Sequence, residues 1–378
     1  MNNNIKDTIM KTKLVGCLFM AMALAGCTQT ALSPKEELIA TLERAVQEGT
    51  PLFGHQDDLM YGHTWNVTKE DDHTLERSDV LSTGGAYPYI LGLDLGELEI
   101  DNPRNLDGND FGLMREAAIK HYERGGIVTI SWHLRNPLTG GDAWDVSSDK
   151  VVESILPGGE KHEYFMGWLD KVATYLASLK DSEGQQIPII FRPWHEHTGG
   201  WFWWGTGICT SEQYNALWAM TYDYIVKERG IEELVWAISP GAADKDFEVW
   251  ESRYPGDEYV DIVGLDGYCP TYLPQEAAFP LYQEHLRNCL GSLQSFAEKH
   301  GKLLALTETG YEGLQYEKWW TEVLAPAIEN IPITYLLVWR NTDEMPRGLV
   351  HFYAPWPGGT SEEDFKDLVE SGKIKLLK

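Results

Sequence analysis

Eight short apolar runs punctuate the chain, at residues 52–55, 89–93, 127–132, 187–191, 234–238, 261–265, 303–307 and 334–339. Their length and near-continuous apolar character are those of strands buried on both faces. Between them lie segments whose apolar residues recur at three- and four-residue spacing, at 111–124, 162–179, 211–228, 281–300 and 317–328, with a last one at 362–370. Strands alternating with helices predict a parallel sheet, and eight repeats predict its closure into a single-domain (β/α)8 barrel. Ser211 and Ser361, each followed by Glu, open their segments with residues favoured at helix N-termini. The fifth helical segment, 245–252, is short and runs into Tyr254-Pro255-Gly256. Segments 57–82 and 136–160 are long and rich in Gly, Asp, Asn and Trp, as expected of loops lining a cleft over a rigid scaffold.

The N-terminus departs from this alternation. Lys11 and Lys13 precede an apolar run at 14–25 that ends in Leu24-Ala25-Gly26-Cys27. The run is shorter than the roughly 20 residues a membrane-spanning helix requires, and it looks like a bacterial lipoprotein signal. The expected organisation is therefore a signal at 1–26, a lipid-anchored spacer at 27–36 beginning with Cys27, and the barrel at 37–378. The anchor would tether a soluble domain to a membrane in the cell envelope. Thr28-Gln29-Thr30-Ala31 carries no acidic cluster, which favours a periplasm-facing membrane over the cell surface. The whole chain carries a formal net charge of −27; without Lys6, Lys11, Lys13 and Asp7 of the signal, 28 basic residues face 57 acidic ones, a net −29. Such a surface repels nucleic acid and anionic polymers and is compatible with a neutral polysaccharide.

Of five cysteines, Cys17 lies in the signal and Cys27 at its end, leaving Cys209, Cys269 and Cys289. Three make no disulfide framework, and a single bridge would most naturally join Cys209 to Cys269, since both follow strands on one face. No spacing matches a zinc site, and His195-Glu196-His197 is not the helical pattern in which two histidines share a face. Neither metal nor cofactor is expected.

The chemistry concentrates after the fourth run. Arg192-Pro193-Trp194-His195-Glu196 follows it directly and leads into four adjacent aromatics, Trp201-Phe202-Trp203-Trp204, flanked by Gly199, Gly200 and Gly205. Glu196 is thereby placed near the carboxyl end of a strand, the face on which barrel enzymes carry their active sites. The glycines point to a loop, and the aromatics beside the carboxylate are expected to form a sugar-stacking wall rather than to fill a core. Glu308, in Thr307-Glu308-Thr309-Gly310, ends the seventh run on the same rim. Two carboxylates so placed are what glycoside hydrolysis uses, one as proton donor and one as attacking group; a separation of roughly 5–5.5 Å gives retention through a covalent intermediate.

Over residues 52–356 the chain resembles glycoside hydrolase family 26, in the clan of retaining (β/α)8 hydrolases. The resemblance rests on Arg192-Pro193-Trp194-His195-Glu196 with Gly200-Trp201-Phe202-Trp203-Trp204-Gly205, on Thr307-Glu308-Thr309-Gly310, on Gly54-His55-Gln56, and on Trp132-His133 with Asn136-Pro137. It implies Glu196 as acid/base and Glu308 as nucleophile. It implies too that Tyr268 hydrogen-bonds the nucleophile, that Trp339 floors the −1 subsite, and that His133 and Trp201 line the cleft. His195 stands where many clan members have Asn facing the sugar 2-hydroxyl, which is axial in mannose; a satisfied core histidine is the plainer alternative. Arg192 is expected to hold Glu308 electrostatically, and Asp266 either to bind sugar or to orient Arg192. Most members of the family are β-1,4-mannanases, so the expected activity is double-displacement cleavage of neutral mannan, galactomannan or manno-oligosaccharides by a monomer. Endo action and mannobiose release stay open. A β-1,3-xylanase or mixed-linkage glucanase on the same fold, or a glycan-binding lipoprotein without turnover, are the alternatives.

Overall fold

The computed structural model describes residues 32–70, 73–241, 247–342 and 351–378, and in it the eight apolar runs are the staves of a barrel. The strands are β1 (Leu52–Gln56), β2 (Ile90–Asp94), β3 (Ile127–Ser131), β4 (Ile189–Arg192), β5 (Leu234–Ile238), β6 (Ile262–Val263), β7 (Leu303–Gly310) and β8 (Ile333–Val338). Each pairs in parallel with the next, and β8 returns to β1 from Leu52↔Tyr335 to His55↔Val338, closing the sheet. The (β/α)8 barrel is thus complete.

Strand β7 runs on to Gly310, three residues past its expected end, and β4 and β6 depart from their bounds for backbone reasons. Strand β4 starts two residues late because Pro188 has no N–H to give the ladder. Strand β6 breaks at Gly264 and resumes as Asp266–Tyr268, pairing Glu308↔Asp266 on β7. A Cβ at Gly264 would lie 2.5 Å from Thr307 Oγ1 and 3.0 Å from the Ser239 Cβ, so only glycine lets the three strands converge there.

The helices are α1 (Pro34–Glu48), α2 (Asp79–Gly84), α3 (Phe111–Glu123), α4 (Val151–Ile155), α5 (His162–Ala177), α6 (Ser211–Tyr222), α7 (Phe247–Ser252), α8 (Gln275–His300), α9 (Ala325–Ile328) and α10 (Glu362–Glu370). Wider π-type turns extend α6 through Asp223–Glu228 and precede α9 at Trp319–Leu324. Helix α8 begins six residues before the expected 281 and carries Pro280 in its second turn. The long loops hold structure of their own. A small hairpin pairs Tyr61–Gly62 with Trp65–Asn66, and α4 lies within 136–160.

Helix α1 was not anticipated, and its first turn, 34–36, takes residues assigned above to the spacer. Ser33 and Glu36 form a reciprocal capping box and Pro34 occupies the first turn, so the compact unit begins at Ser33. Leu38, Leu42 and Ala45, spaced for one helical face, pack with Leu52, Ile90, Ile127, Ile190, Val235 and Ile262 in the barrel interior. The helix therefore stoppers the end where the strands begin. The last residues return to that end: Lys375 bridges Leu52, and Leu377 bridges Tyr87.

Candidate active site

Strand alternation decides which side chains reach the open end of the barrel. Ile90, Ile127 and Ile190 face the interior, so Asp94, His133 and Arg192, an even number of residues further on, share that side at the carboxyl ends. Glu308 comes from a less regular strand. The register of β7 against β8 shifts between Leu304 and Leu306 and again before Thr309, the kind of irregularity that re-aims a side chain.

Both oxygens of Glu308 are occupied. Arg192 donates from one guanidinium nitrogen to Oε1 and Tyr268 donates its hydroxyl to Oε2 at 2.6 Å. The other guanidinium nitrogen of Arg192 reaches Asp266 Oδ2 at 2.9 Å and Ser239 Oγ at 3.1 Å. Asp266 also accepts from Ser239 Oγ at 2.8 Å and, on Oδ1, from Thr307 Oγ1 at 2.6 Å. It is 2% exposed, so it orients Arg192 and has no oxygen left for a sugar. Burial pushes its carboxyl up to about 7, against the pull of Arg192 and with the Glu308 charge adding to the rise.

Glu196 sits on a loop built to hold one conformation. Trp194 and Glu196 both adopt left-handed backbone, with φ of 54° and 52°; each costs on the order of 1–3 kcal/mol, which neighbouring bonds must offset. Trp204 Nε1 donates to the His195 carbonyl at 2.8 Å, Tyr214 Oη to the Trp194 carbonyl at 3.0 Å, and Glu196 N to the Ser239 carbonyl at 2.7 Å. Gly205 packs against this turn; a Cβ there would lie 2.1 Å from the Gly199 carbonyl. The buried Arg253 clamps the loop from outside, donating to the carbonyls of Trp204 at 2.6 Å and Cys209 at 3.1 Å and to His197 Nδ1 at 3.3 Å. The Glu196 carboxyl is held well above the ordinary carboxylate range, first by burial and then by the charges of Glu308 and Asp266; the Trp201 indole N–H, 2.5 Å from Oε2, pulls the other way. Glu308 thus sits between two donors, whereas Glu196 lies near the like charges of Glu308 and Asp266.

His133 and His195 meet through their Nε2 atoms at 2.9 Å, and His133 Nδ1 lies 2.7 Å from Asp94 Oδ2. Asp94 in turn accepts from Ser131 Oγ at 2.6 Å and from Gly96 N at 2.7 Å. His195 is 1% exposed and its Nδ1 is buried without a hydrogen-bond partner among the described residues. Its Nε2 is already taken, so a direct bond to a sugar 2-hydroxyl is not set up in this arrangement. Burial, with His133 next, keeps the His195 ring far below the usual histidine range. The His133 ring stacks on the exposed Trp144, with centroids 5.5 Å apart and planes at 17°, and half-buried Trp339 stands edge-on at 6.1 Å.

Sequence alone misplaced the aromatic wall. Of the four adjacent aromatics only Trp201 is exposed, at 45%; Phe202, Trp203 and Trp204 are buried, and Phe202 and Trp204 stack on each other at 4.5 Å. The glycines do mark a loop, but one folded back into the core. Cys209, Cys269 and Cys289 are buried and the Cys209–Cys269 bridge does not form; the Cys209 thiol instead meets the Trp204 carbonyl at 3.2 Å. Asp94, Ser239, Trp144 and Arg253 were not singled out as site residues, although Asp94 and Ser239 end or follow interior strands as Arg192 does. Cys27 lies outside the described residues.

Comparison with known proteins agrees with this geometry. The model of glycosyl hydrolase family 26 matches residues 44–302. A family 26 β-mannanase structure from Bacteroides ovatus is 43% identical, with 92% of this chain and 96% of that chain covered at a TM-score of 0.83. The mannan endo-1,4-β-mannosidase of Bifidobacterium adolescentis is 30% identical over 334 residues, 84% of this chain and 33% of that protein. One from Bacillus subtilis is 32% identical over 234 residues, 60% and 59% of the two. The matches thus span about a third and about three-fifths of these two curated relatives. On the family match and the site together, the chain belongs to glycosyl hydrolase family 26.

Proposed function

We propose that this protein is a retaining β-1,4-mannanase acting on mannan, galactomannan or manno-oligosaccharides. The observation that carries the proposal is the contrast between Glu308, cradled by Arg192 and Tyr268, and Glu196, whose carboxyl is pushed up by desolvation and by the nearby charges of Glu308 and Asp266. Glu196 protonates the glycosidic oxygen as Glu308 attacks the anomeric carbon, giving a glycosyl ester and releasing the leaving chain. Water then attacks that carbon, Glu196 takes its proton, and Glu308 departs, so two inversions give retention. Arg192, itself oriented by Asp266, holds the nucleophile; Trp339 and Trp201 supply the faces on which neutral sugars stack. His133 lines the cleft beside Trp144, and His195 acts through His133. The named mannanase relatives support mannose as the sugar.

Chromatography of the products from linear mannan, with NMR of the first-formed anomer, tests linkage, mode and stereochemistry together. Release of the β-anomer is expected, and a Glu308→Ala variant should be inactive; full activity of that variant, or an α-anomer, would sink the mechanism. We further propose that the monomeric enzyme is lipid-anchored through Cys27 on a periplasm-facing membrane, on the strength of the apolar run ending in Leu24-Ala25-Gly26-Cys27.

A further inference from the structure

One side chain beyond the nucleophile lies a second cavity of about 490 Å³, within the range of small-ligand pockets. Tyr268, whose hydroxyl serves Glu308, forms one wall, and Tyr353, its ring 5.5 Å from that of Tyr268, continues it. Two of the most exposed large apolar side chains of the protein line this cavity, Tyr272 at 84% and Leu281 at 48%. Tyr272 has no ring partner or hydrogen bond among the described residues. Glu312, half-buried in the same cavity, has no hydrogen bond or ion pair among them, and burial pushes its carboxyl up. Neither Lys nor Arg is among the described residues lining the cavity, and His285 is its basic side chain.

An open aromatic face beside an unengaged carboxylate suits a polyhydroxylated ring: the face stacks on its C–H surface and the carboxylate accepts from its hydroxyls. Trp339 and Trp201 are not among the residues lining this cavity, whereas Tyr268 belongs both to it and to the surroundings of Glu308. We propose that the cavity binds a single pyranose branch of the mannan backbone, with Tyr272 as stacking platform and Glu312 as hydroxyl acceptor. This rests on the mannanase reading and names the substrate subclass it takes.

The test compares kcat/KM of the wild type, Tyr272→Ala and Glu312→Gln on linear manno-oligosaccharides and on galactomannan, whose backbone carries single C6-linked galactose units. Each variant should lose about tenfold on galactomannan, the equivalent of roughly 1.4 kcal/mol, and keep wild-type values on linear substrate. Equal losses on both substrates would mean that the cavity holds a backbone sugar, and no loss on either that it holds nothing; both overturn the proposal. A wild type inactive on linear mannan would instead strike the mannanase reading. An unchanged melting temperature for Tyr272→Ala, expected from its exposure, excludes misfolding as the cause.

Discussion

Glu196 and Glu308 are the same residue type on the same rim, and it is their neighbours that differ, which is the basis of the different roles proposed for them. For Glu196→Gln, kcat/KM should fall by about 10²–10⁴, measured on an activated and an unactivated mannoside, with the larger loss where the leaving group most needs a proton. Because burial raises the Glu196 pKa, the proton donor is lost only as pH climbs through that raised value. The wild-type profile should therefore carry an alkaline limb above the ordinary carboxylate range, and Glu196→Gln should lack it. Tyr268→Phe removes one of two donors to Glu308; a bond to a charged group is worth about 1.5–3 kcal/mol, so kcat should drop one to two orders of magnitude with KM nearly unchanged. Both glutamates were legible in the sequence because they end runs whose number could be counted. The partnership of His195 with His133 and Asp94 was not, since it joins three strand ends whose side chains meet only after closure.

At the scale of the element, the loop from Trp194 to Cys209 behaves as part of the core. Period-two and period-3.6 patterns identify strands and helices, but a loop has no period, so nothing in Trp201-Phe202-Trp203-Trp204 distinguished the one exposed ring from its three buried neighbours. The structure makes the distinction testable. Trp204→Ala should destabilise the protein by about 3–5 kcal/mol, as large aromatic truncations in cores do, whereas Trp201→Ala should leave stability nearly unchanged and weaken substrate binding. Denaturant unfolding alongside KM separates the two. Arg253 ties the same loop to the segment after α7; Arg253→Met, which removes its hydrogen bonds and keeps most of its bulk, should cost about 2–4 kcal/mol. The same measurement reads it, with a parallel loss of kcat as Glu196 loses its fixed position. The weak fifth helical segment is therefore short in sequence and essential in place, because it delivers this arginine.

For the molecule as a whole, eight counted runs were enough to give the barrel, because closure leaves few alternatives for eight buried parallel strands. The stopper helix α1 escaped notice because its apolar face, Leu38, Leu42 and Ala45, is narrow and its charged residues resemble those of a spacer. The proposed anchor belongs to this scale too: the full-length chain produced in a bacterial host should partition into detergent, and Cys27→Ser should remain in the aqueous phase. Detergent partitioning by the Cys27→Ser protein would overturn the lipid assignment. Helix α1 and residues 375–377 lie at the end of the barrel remote from Glu196 and Glu308, which has a practical corollary. A support coupled near Ser33 or Lys375 leaves the cleft facing solution.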